Sequence, residues 1–112
     1  MMRMKITVVG RQMSVWDSTK EMAEKKLMKL DKYFDDEASA TITFSCKRER
    51  DNVEITIYGA NTIFRGEVED TSFQNAVDRC VDMIDRQIRK NKTRLEKRLK
   101  EGAFQIPDYE EE

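Results

Sequence analysis

At 112 residues, the chain has the length of a single domain and is large enough to bury a hydrophobic core. It carries 21 basic and 22 acidic residues and no histidine, for a net charge of −1. No segment approaches the ~18 consecutive apolar residues of a membrane-spanning helix, and the N-terminus lacks a signal-peptide pattern. Cys46 and Cys80 fit neither a disulfide framework nor a metal-binding spacing. The sequence therefore predicts a soluble cytoplasmic protein without a bound metal.

The charges are strongly segregated along the chain. Residues 1–85 hold 13 basic and 16 acidic residues, residues 86–100 hold 8 and 1, and residues 101–112 hold 0 and 5. The small net charge therefore hides a strongly basic segment. Such a segment favours an anionic partner, of which nucleic acid is the first candidate.

The first part of the chain predicts a strand followed by a helix. Met4–Val9 is short and rich in β-branched residues, as strands are. Ser14 and Asp17 form a modest capping-box pattern, which predicts the start of a helix that extends to about Tyr33. The stripe of this helix that should face the core comprises Trp16, Thr19, Ala23, Leu27, Leu30 and Phe34.

Three segments then alternate apolar with polar residues, which is the pattern of half-buried strands. They are Ala40–Cys46, Val53–Tyr58 and Ile63–Glu69. The alternation predicts that Cys46 points into the core, as Cys80 should in the following helix. It also predicts that Tyr58 and Arg65 lie on the polar face of the sheet.

A long amphipathic helix is predicted from Thr71 to about Lys100. Its apolar stripe comprises Phe73, Val77, Cys80, Val81, Ile84, Ile88, Leu95 and Leu99. Its opposite side is basic and places like charges four residues apart at Arg86, Lys90, Arg94 and Arg98. Each like-charge pair destabilises the helix by ~0.2–0.5 kcal/mol. A helix that tolerates this repulsion is expected to lie against an anionic partner.

The predicted order of elements is β-α-β-β-β-α. Because the last three strands alternate, the four-stranded sheet should have one solvent-exposed face, and both helices should cover the other. We therefore predict an α+β two-layer sandwich over residues 1–102, similar to a double-stranded-RNA-binding domain. Gly102 should end the last helix, and residues 103–112 should form a flexible acidic tail or the start of a linker.

The two helices place basic residues on their outer surfaces. A helix of about 30 residues is ~45 Å long and should project beyond strands of roughly 20 Å. With both helices on one face, their basic residues should flank the groove between them as one continuous cationic surface. The candidate binding residues are Lys25, Lys29 and Lys32 on the first helix and Arg79, Arg86, Arg89, Lys90, Arg94 and Lys97 on the second.

Catalysis has little support in the sequence. Histidine, the commonest general base and metal ligand, is absent. The four glycines are isolated, so the chain has no glycine-rich loop that would hold a phosphate group. We therefore predict a binding protein and not an enzyme, with no cofactor and no small-molecule substrate.

Two segments of the last helix carry a specific pattern. They are Ala76–Asp82, with the pattern Ala-Val-Asp-x-x-Val-Asp, and Ile84–Thr93. Together with the order of elements, these segments resemble the ribosome hibernation promoting factors. These bacterial proteins are also described as ribosome-associated inhibitors or sigma-54 modulation proteins. The resemblance covers residues 3 to about 100.

The resemblance implies binding to the small ribosomal subunit, in the channel where mRNA and the A- and P-site tRNAs lie. Bound there, such a protein silences idle ribosomes during stress or stationary phase. The resemblance also implies that both helices pack on one side of the sheet and present basic residues to 16S ribosomal RNA. On this chain those residues would be Arg79, Arg86, Lys90 and Arg94, together with Lys25 and Lys29.

Some members of the family have an extra C-terminal domain that pairs two ribosomes. Residues 104–112 resemble the start of a linker to it, so we expect the chain to be an N-terminal domain without the dimerising one. Two other functions remain open. One is a general double-stranded-RNA-binding module, which reads shape across grooves. The other is a protein-interaction module whose exposed helix end docks an acidic partner.

Overall fold

The computed structural model describes residues 4–59 and 61–100, without the side chains of residues 92–100. Its elements are β1 (Lys5–Gly10), α1 (Asp17–Leu27), a 3₁₀ helix (Met28–Tyr33), β2 (Ser39–Lys47), β3 (Arg50–Gly59), β4 (Thr62–Asp70) and α2 (Phe73–Lys100). The predicted β-α-β-β-β-α order is confirmed. The predicted boundary after residue 102 and the acidic tail 103–112 lie outside the described residues. Within the described ranges, none of the helices combines the length and apolar character needed to cross a membrane.

The four strands form one sheet in the order β1-β2-β3-β4. β1 is parallel to β2, whereas β2–β3 and β3–β4 are antiparallel. Parallel neighbours need a crossover connection, and α1 with the 3₁₀ helix provides it between β1 and β2. The β2–β3 hairpin turns through Arg48 and Glu49, which both have positive φ angles, of 51° and 66°.

Both helices cover the same face of the sheet, as the alternation of the strands predicts. The fully buried side chains include Leu27 and Leu30 of the first helical segment, Ile42, Phe44, Ile55 and Ile57 of the sheet, and Val77, Cys80 and Ile84 of α2. The opposite face is open in the described part of the chain, where Tyr58 is 51% and Ile63 is 60% exposed. The α+β two-layer sandwich is therefore confirmed.

A glycine lets α2 pack closely on β4, which is an edge strand. A Cβ at Gly66 would lie 3.2 Å from Cys80 Sγ and 3.4 Å from Ile84 Cγ1. Close to this contact, the side chain of Gln87 reaches the outer edge of β4. Its amide nitrogen donates to the carbonyl oxygen of Arg65 at 2.8 Å, and its oxygen accepts from the Arg65 N–H at 3.3 Å. These contacts fix α2 above the edge of the sheet.

The start of α1 differs from the prediction. The helix begins at Asp17, and its N-cap is Trp16, which makes no side-chain hydrogen bond to the helix. The predicted capping box at Ser14 is therefore wrong. Trp16 is also 78% exposed, although its place on the apolar stripe predicted burial. The reason is that Met13 and Val15, in the preceding loop, pack against the core at this end of the sheet.

The two cysteines lie in different environments. Cys80 is buried, and burial raises the pKa of its thiol to about 12. Cys46 is exposed, so the prediction that it is buried is wrong. It follows Phe44 on β2, and Phe44 packs against Phe73, the first residue of α2. Cys46 lies two residues further along β2, past the point at which α2 begins to cover the sheet. Its Sγ donates to Asp51 Oδ1 at 3.4 Å, and this hydrogen bond raises its pKa.

We expect a thiol-specific aromatic disulfide reagent to modify Cys46 alone in the native protein. The exposed thiol should react within minutes at about pH 8.5 and faster as the pH rises, because the thiolate is the nucleophile. Cys80 should react only after unfolding in denaturant. A Cys46→Ser variant serves as the control and should show no rapid labelling. Rapid labelling of that variant would contradict the burial of Cys80.

Candidate nucleic-acid interface

α2 presents three basic side chains on the side opposite its buried apolar stripe. Arg79, Arg86 and Lys90 lie within ~40° of one another around the helix axis, at about 100° per residue, and all three are exposed. We call these three residues the outer flank. Arg86 and Lys90 are one turn apart, ~6 Å along the axis. Neither forms an ion pair with any residue in the described part of the chain.

Arg79 differs from the other two residues because Asp70, at the end of β4, holds it. Arg79 Nη1 donates to Asp70 Oδ2 at 2.8 Å, and the N–H of Thr71 donates to Asp70 Oδ1 at 2.6 Å. The hydrogen bond from Arg79, with that from Thr71, lowers the pKa of Asp70 to about 2. A carboxyl with a lowered pKa stays charged at neutral pH and loses its partner only in strong acid. Arg79 can therefore meet an external anion only in competition with Asp70.

The side of α2 that faces α1 is acidic. The contacts across the groove join Lys26 to Asp78 (2.7 Å), Lys29 to Asp82 (3.9 Å) and Tyr33 to Asp85 (2.9 Å). Because the residue numbers rise together along both segments, the two helices run parallel. The predicted continuous cationic surface across the groove is therefore wrong, since a row of carboxylates separates the lysines of α1 and the 3₁₀ helix from the outer flank.

The remaining candidates are distributed around this groove. Lys25 is exposed and forms no ion pair with a described residue, and the Nζ of Lys32, also exposed, lies 5.4 Å from the centre of the Tyr33 ring. Arg89 Nε is 3.1 Å from Asp85 Oδ2. Asp85 also accepts the hydrogen bond of the Tyr33 hydroxyl, and this bond raises the Tyr33 pKa. The side chains of Arg94 and Lys97 lie outside the described residues.

The backbone of α2 continues well past the last buried residue among the described side chains. Among the described side chains, Ile88 is the last buried one, and residues 89–91 are exposed. The helix backbone continues to Lys100, so residues 89–100 add ~18 Å to its length. Residues 86–100 hold 8 basic residues and 1 acidic residue. The outer flank therefore leads directly into a basic extension of the helix.

The row of carboxylates is the feature that reasoning from the sequence missed. Asp78, Asp82 and Asp85 recur at the spacing that places residues on one side of a helix. Lys26 at the end of α1 and Lys29 in the 3₁₀ helix have the matching spacing. This complementarity between two amphipathic helices could have revealed that the groove is filled by internal ion pairs. Among the side chains that the structure describes, no three His, Cys, Asp or Glu residues converge as a metal site would require.

The chain is similar to curated bacterial proteins along most of its length. Ribosome hibernation promotion factor of Bacillus subtilis is 32% identical over 101 residues, which are 88% of this chain and 53% of the relative. The protein of the same name from Deinococcus radiodurans is 34% identical over 98 residues, 83% of this chain and 51% of the relative. Ribosome hibernation promoting factor of Azotobacter vinelandii is 28% identical over 106 residues, 93% of this chain and 94% of the relative. The chain spans about half the length of the first two relatives.

Solved structures share the fold. The crystal structure of the Thermus thermophilus Protein Y N-terminal domain has a TM-score of 0.70 at 31% identity, covering 77% of this chain and 97% of that one. A ribosomal subunit interface protein from Coxiella burnetii has a TM-score of 0.71 at 17% identity, over 80% and 98%, which supports the fold alone. The family described as Sigma 54 modulation protein / S30EA ribosomal protein matches residues 6–96. The chain therefore belongs to the sigma 54 modulation protein / S30EA ribosomal protein family.

Proposed function

We propose that the chain is the ribosome-binding domain of a hibernation factor. It binds the small ribosomal subunit through 16S ribosomal RNA, in the channel of mRNA and tRNA, and inhibits translation under stress or in stationary phase. Its relatives from Bacillus subtilis and Deinococcus radiodurans are named ribosome hibernation promotion factors. The observation that carries the proposal is the pair Arg86 and Lys90, which are exposed, like-charged and one helical turn apart.

The chemistry of this pair fits a phosphate backbone. An arginine donates two parallel hydrogen bonds to a phosphate, and a lysine binds it as a compact charge. RNA presents such groups at regular, close spacing, so neighbouring cations on one helix can be neutralised together. Among the described residues, no carboxylate forms an ion pair with Arg86 or Lys90 and so competes with an external phosphate. The pair therefore keeps its full charge for an external ligand.

The proposed inhibition is steric and needs no chemical step. A domain that occupies the channel excludes mRNA and tRNA from it, and the basic extension of α2 increases the length over which the domain can follow an RNA backbone. The sheet and both helices pack on one core. The outer flank is thus presented by a pre-organised surface, which lowers the entropy lost on binding.

The test is co-sedimentation with purified small ribosomal subunits at increasing salt. If six or more phosphate contacts form, the apparent affinity should fall by about three to five orders of magnitude between ~50 and ~200 mM monovalent salt. The reason is that each neutralised phosphate releases condensed counterions. An affinity that stays constant over this range would contradict a phosphate-binding interface.

Two competitors separate the proposed function from its alternatives. tRNA bound to the subunits should displace the chain, because both occupy the same channel. Free duplex RNA should compete poorly. Strong competition by duplex RNA would instead identify a general double-stranded-RNA-binding module. Binding that neither RNA affects would point to a protein partner.

A further inference from the structure

Trp16 is unusual both in its exposure to solvent and in its place at the start of a helix. It is the most exposed large apolar side chain in the described part of the chain, at 78%. It also occupies the N-cap of α1, where Ser, Thr, Asp or Asn would accept a hydrogen bond from the first turn, and it provides no such bond. Positions at which local structure and burial are both unfavourable are typical of functional sites.

The loop before Trp16 holds it in a defined place. A Cβ on Gly10 would lie 2.2 Å from the carbonyl oxygen of Met13 and 2.9 Å from Val15 Cγ2, so the loop folds tightly back on the end of β1. Met13 and Val15 pack against the core. The carbonyl oxygen of Trp16 accepts the N–H groups of Thr19 and Lys20 at 3.0 Å each. The backbone is therefore anchored on both sides while the indole ring stays in solvent.

The charged residue of α1 that lies closest to the Trp16 side chain around the helix axis is basic. Lys20 follows Trp16 by one helical turn and lies ~40° away around the axis, whereas Asp17 and Glu21 lie ~100° and ~140° away. Arg11 begins the loop, with its N–H bonded to the carbonyl oxygen of Phe44 at 2.8 Å. Arg11 and Lys20 are exposed and form no ion pair with described residues. An exposed aromatic ring with one cation a helical turn away and a second at the start of the same loop is suited to single-stranded nucleic acid, which is bound by stacking and by charge.

We propose that Trp16 stacks on an unpaired base of RNA, with Lys20 and Arg11 contacting the adjoining phosphates. This site is separate from the outer flank. α1 and α2 run parallel, and Lys26 pairs with Asp78. Trp16 lies ten residues before this contact and Lys90 twelve residues after it, which places them ~33 Å apart along the helix axes. The inference rests on the proposed function in that the RNA concerned belongs to the small subunit. The chain would then contact ribosomal RNA at two points, by charge at the outer flank and by stacking at Trp16.

The test uses Trp16 as its own reporter, because it is the only tryptophan of the chain. Titration with single-stranded hexa-adenylate at about 50 mM salt should quench the indole fluorescence and saturate, since stacking changes the environment of the ring directly. A blunt RNA duplex, whose bases are already stacked, should quench it far less. Equal quenching by the duplex, or none by hexa-adenylate, would overturn the proposal.

Variants measure the contribution of the ring. With fluorescein-labelled hexa-adenylate, Trp16→Ala should weaken binding about tenfold or more, because stacking of one base on an aromatic ring contributes a factor of roughly 5 to 150. Trp16→Phe should keep most of the affinity. Tyr58→Ala removes another exposed aromatic residue and is the matched control, which should bind like the parent. Unchanged binding by Trp16→Ala, with an unchanged melting temperature, would overturn the proposal.

Binding to small subunits distinguishes this inference from the proposed function. If Trp16→Ala binds subunits and hexa-adenylate like the parent while charge reversal on the outer flank abolishes subunit binding, the stacking site is wrong and the proposed function stands. If Trp16→Ala loses hexa-adenylate but the parent does not bind subunits, the proposed function is wrong and the stacking site stands. If Trp16→Ala loses subunits and keeps hexa-adenylate, Trp16 contacts a ribosomal protein, which overturns the stacking proposal.

Discussion

Replacement of both Arg86 and Lys90 by glutamate is expected to weaken binding to small ribosomal subunits by at least ~100-fold. Hydrogen bonds to charged groups contribute ~1.5–3 kcal/mol each, and every 1.4 kcal/mol or so corresponds to a factor of ten in affinity. The new carboxylates also repel the RNA. Co-sedimentation at several salt concentrations measures the effect. The slope of log affinity against log salt should fall by about two, one for each phosphate contact that is lost.

The fold of this variant should be unchanged. Both side chains are exposed, so the substitution removes no buried contact. The matched control reverses Lys5 and Lys47, which are exposed at the ends of β1 and β2. It changes the net charge by the same amount and should retain most of the affinity. An equal loss in the control would mean that overall charge, and not the outer flank, determines binding.

Phe44→Ala is expected to destabilise the domain by ~3–5 kcal/mol, the usual effect of removing a buried aromatic side chain. Phe44 is fully buried and packs edge-to-face on Phe73, with 5.0 Å between the ring centres. The ring thereby joins the middle of the sheet to the first turn of α2. Domains of this kind are stable by only about 5–15 kcal/mol. The free energy of unfolding from urea denaturation should fall accordingly.

Tyr58→Ala is the control for this experiment. Tyr58 is an aromatic residue of the same sheet, but it lies on the open face and is half exposed. Its truncation removes cross-strand contact with Ile63 and should destabilise the domain by less than ~1 kcal/mol. If both variants lost similar stability, the assignment of the covered and open faces would be wrong.

The sheet and the long helix could be predicted because each has one buried side. β2, β3 and β4 alternate with a period of two, and α2 carries an apolar stripe at helical spacing, so burial leaves a direct mark on the sequence. The layers follow, because all apolar sides must meet in one core. The predicted strands and the predicted long helix lie within a few residues of those observed, whereas α1 ends at Leu27 and continues to Tyr33 as a 3₁₀ helix.

The errors lie at the ends of elements. Trp16 and Cys46 continue the apolar patterns of α1 and β2, yet both are exposed. Periodicity gives the direction of a side chain but not the point at which the opposing layer ends. That point depends on the loop that packs Met13 and Val15 into the core and on the start of α2 at Phe73, which local patterns do not contain.

The candidate site was only partly predictable for a related reason. The sequence identifies basic side chains on α2, and the structure leaves Arg86 and Lys90 unpaired among the described residues. The sequence does not show which basic side chains are neutralised by acidic residues of the same protein, because those acidic residues come from other elements. Asp70 reaches Arg79 from β4, and Asp82 reaches Lys29 from α2. Counting charges therefore overestimates the cationic surface.

The contact between Gln87 and β4 has a consequence for how the molecule behaves at high concentration. The outer edge of a sheet carries N–H and C=O groups that can recruit another extended chain and start aggregation. At Arg65 both groups are already bonded to the Gln87 side chain. The other edge, β1, is only 6 residues long and begins with Lys5, and short, charged edges pair poorly. The helix that carries Arg86 and Lys90 thus also occupies one position at the edge of its own sheet to which another extended chain could otherwise bond.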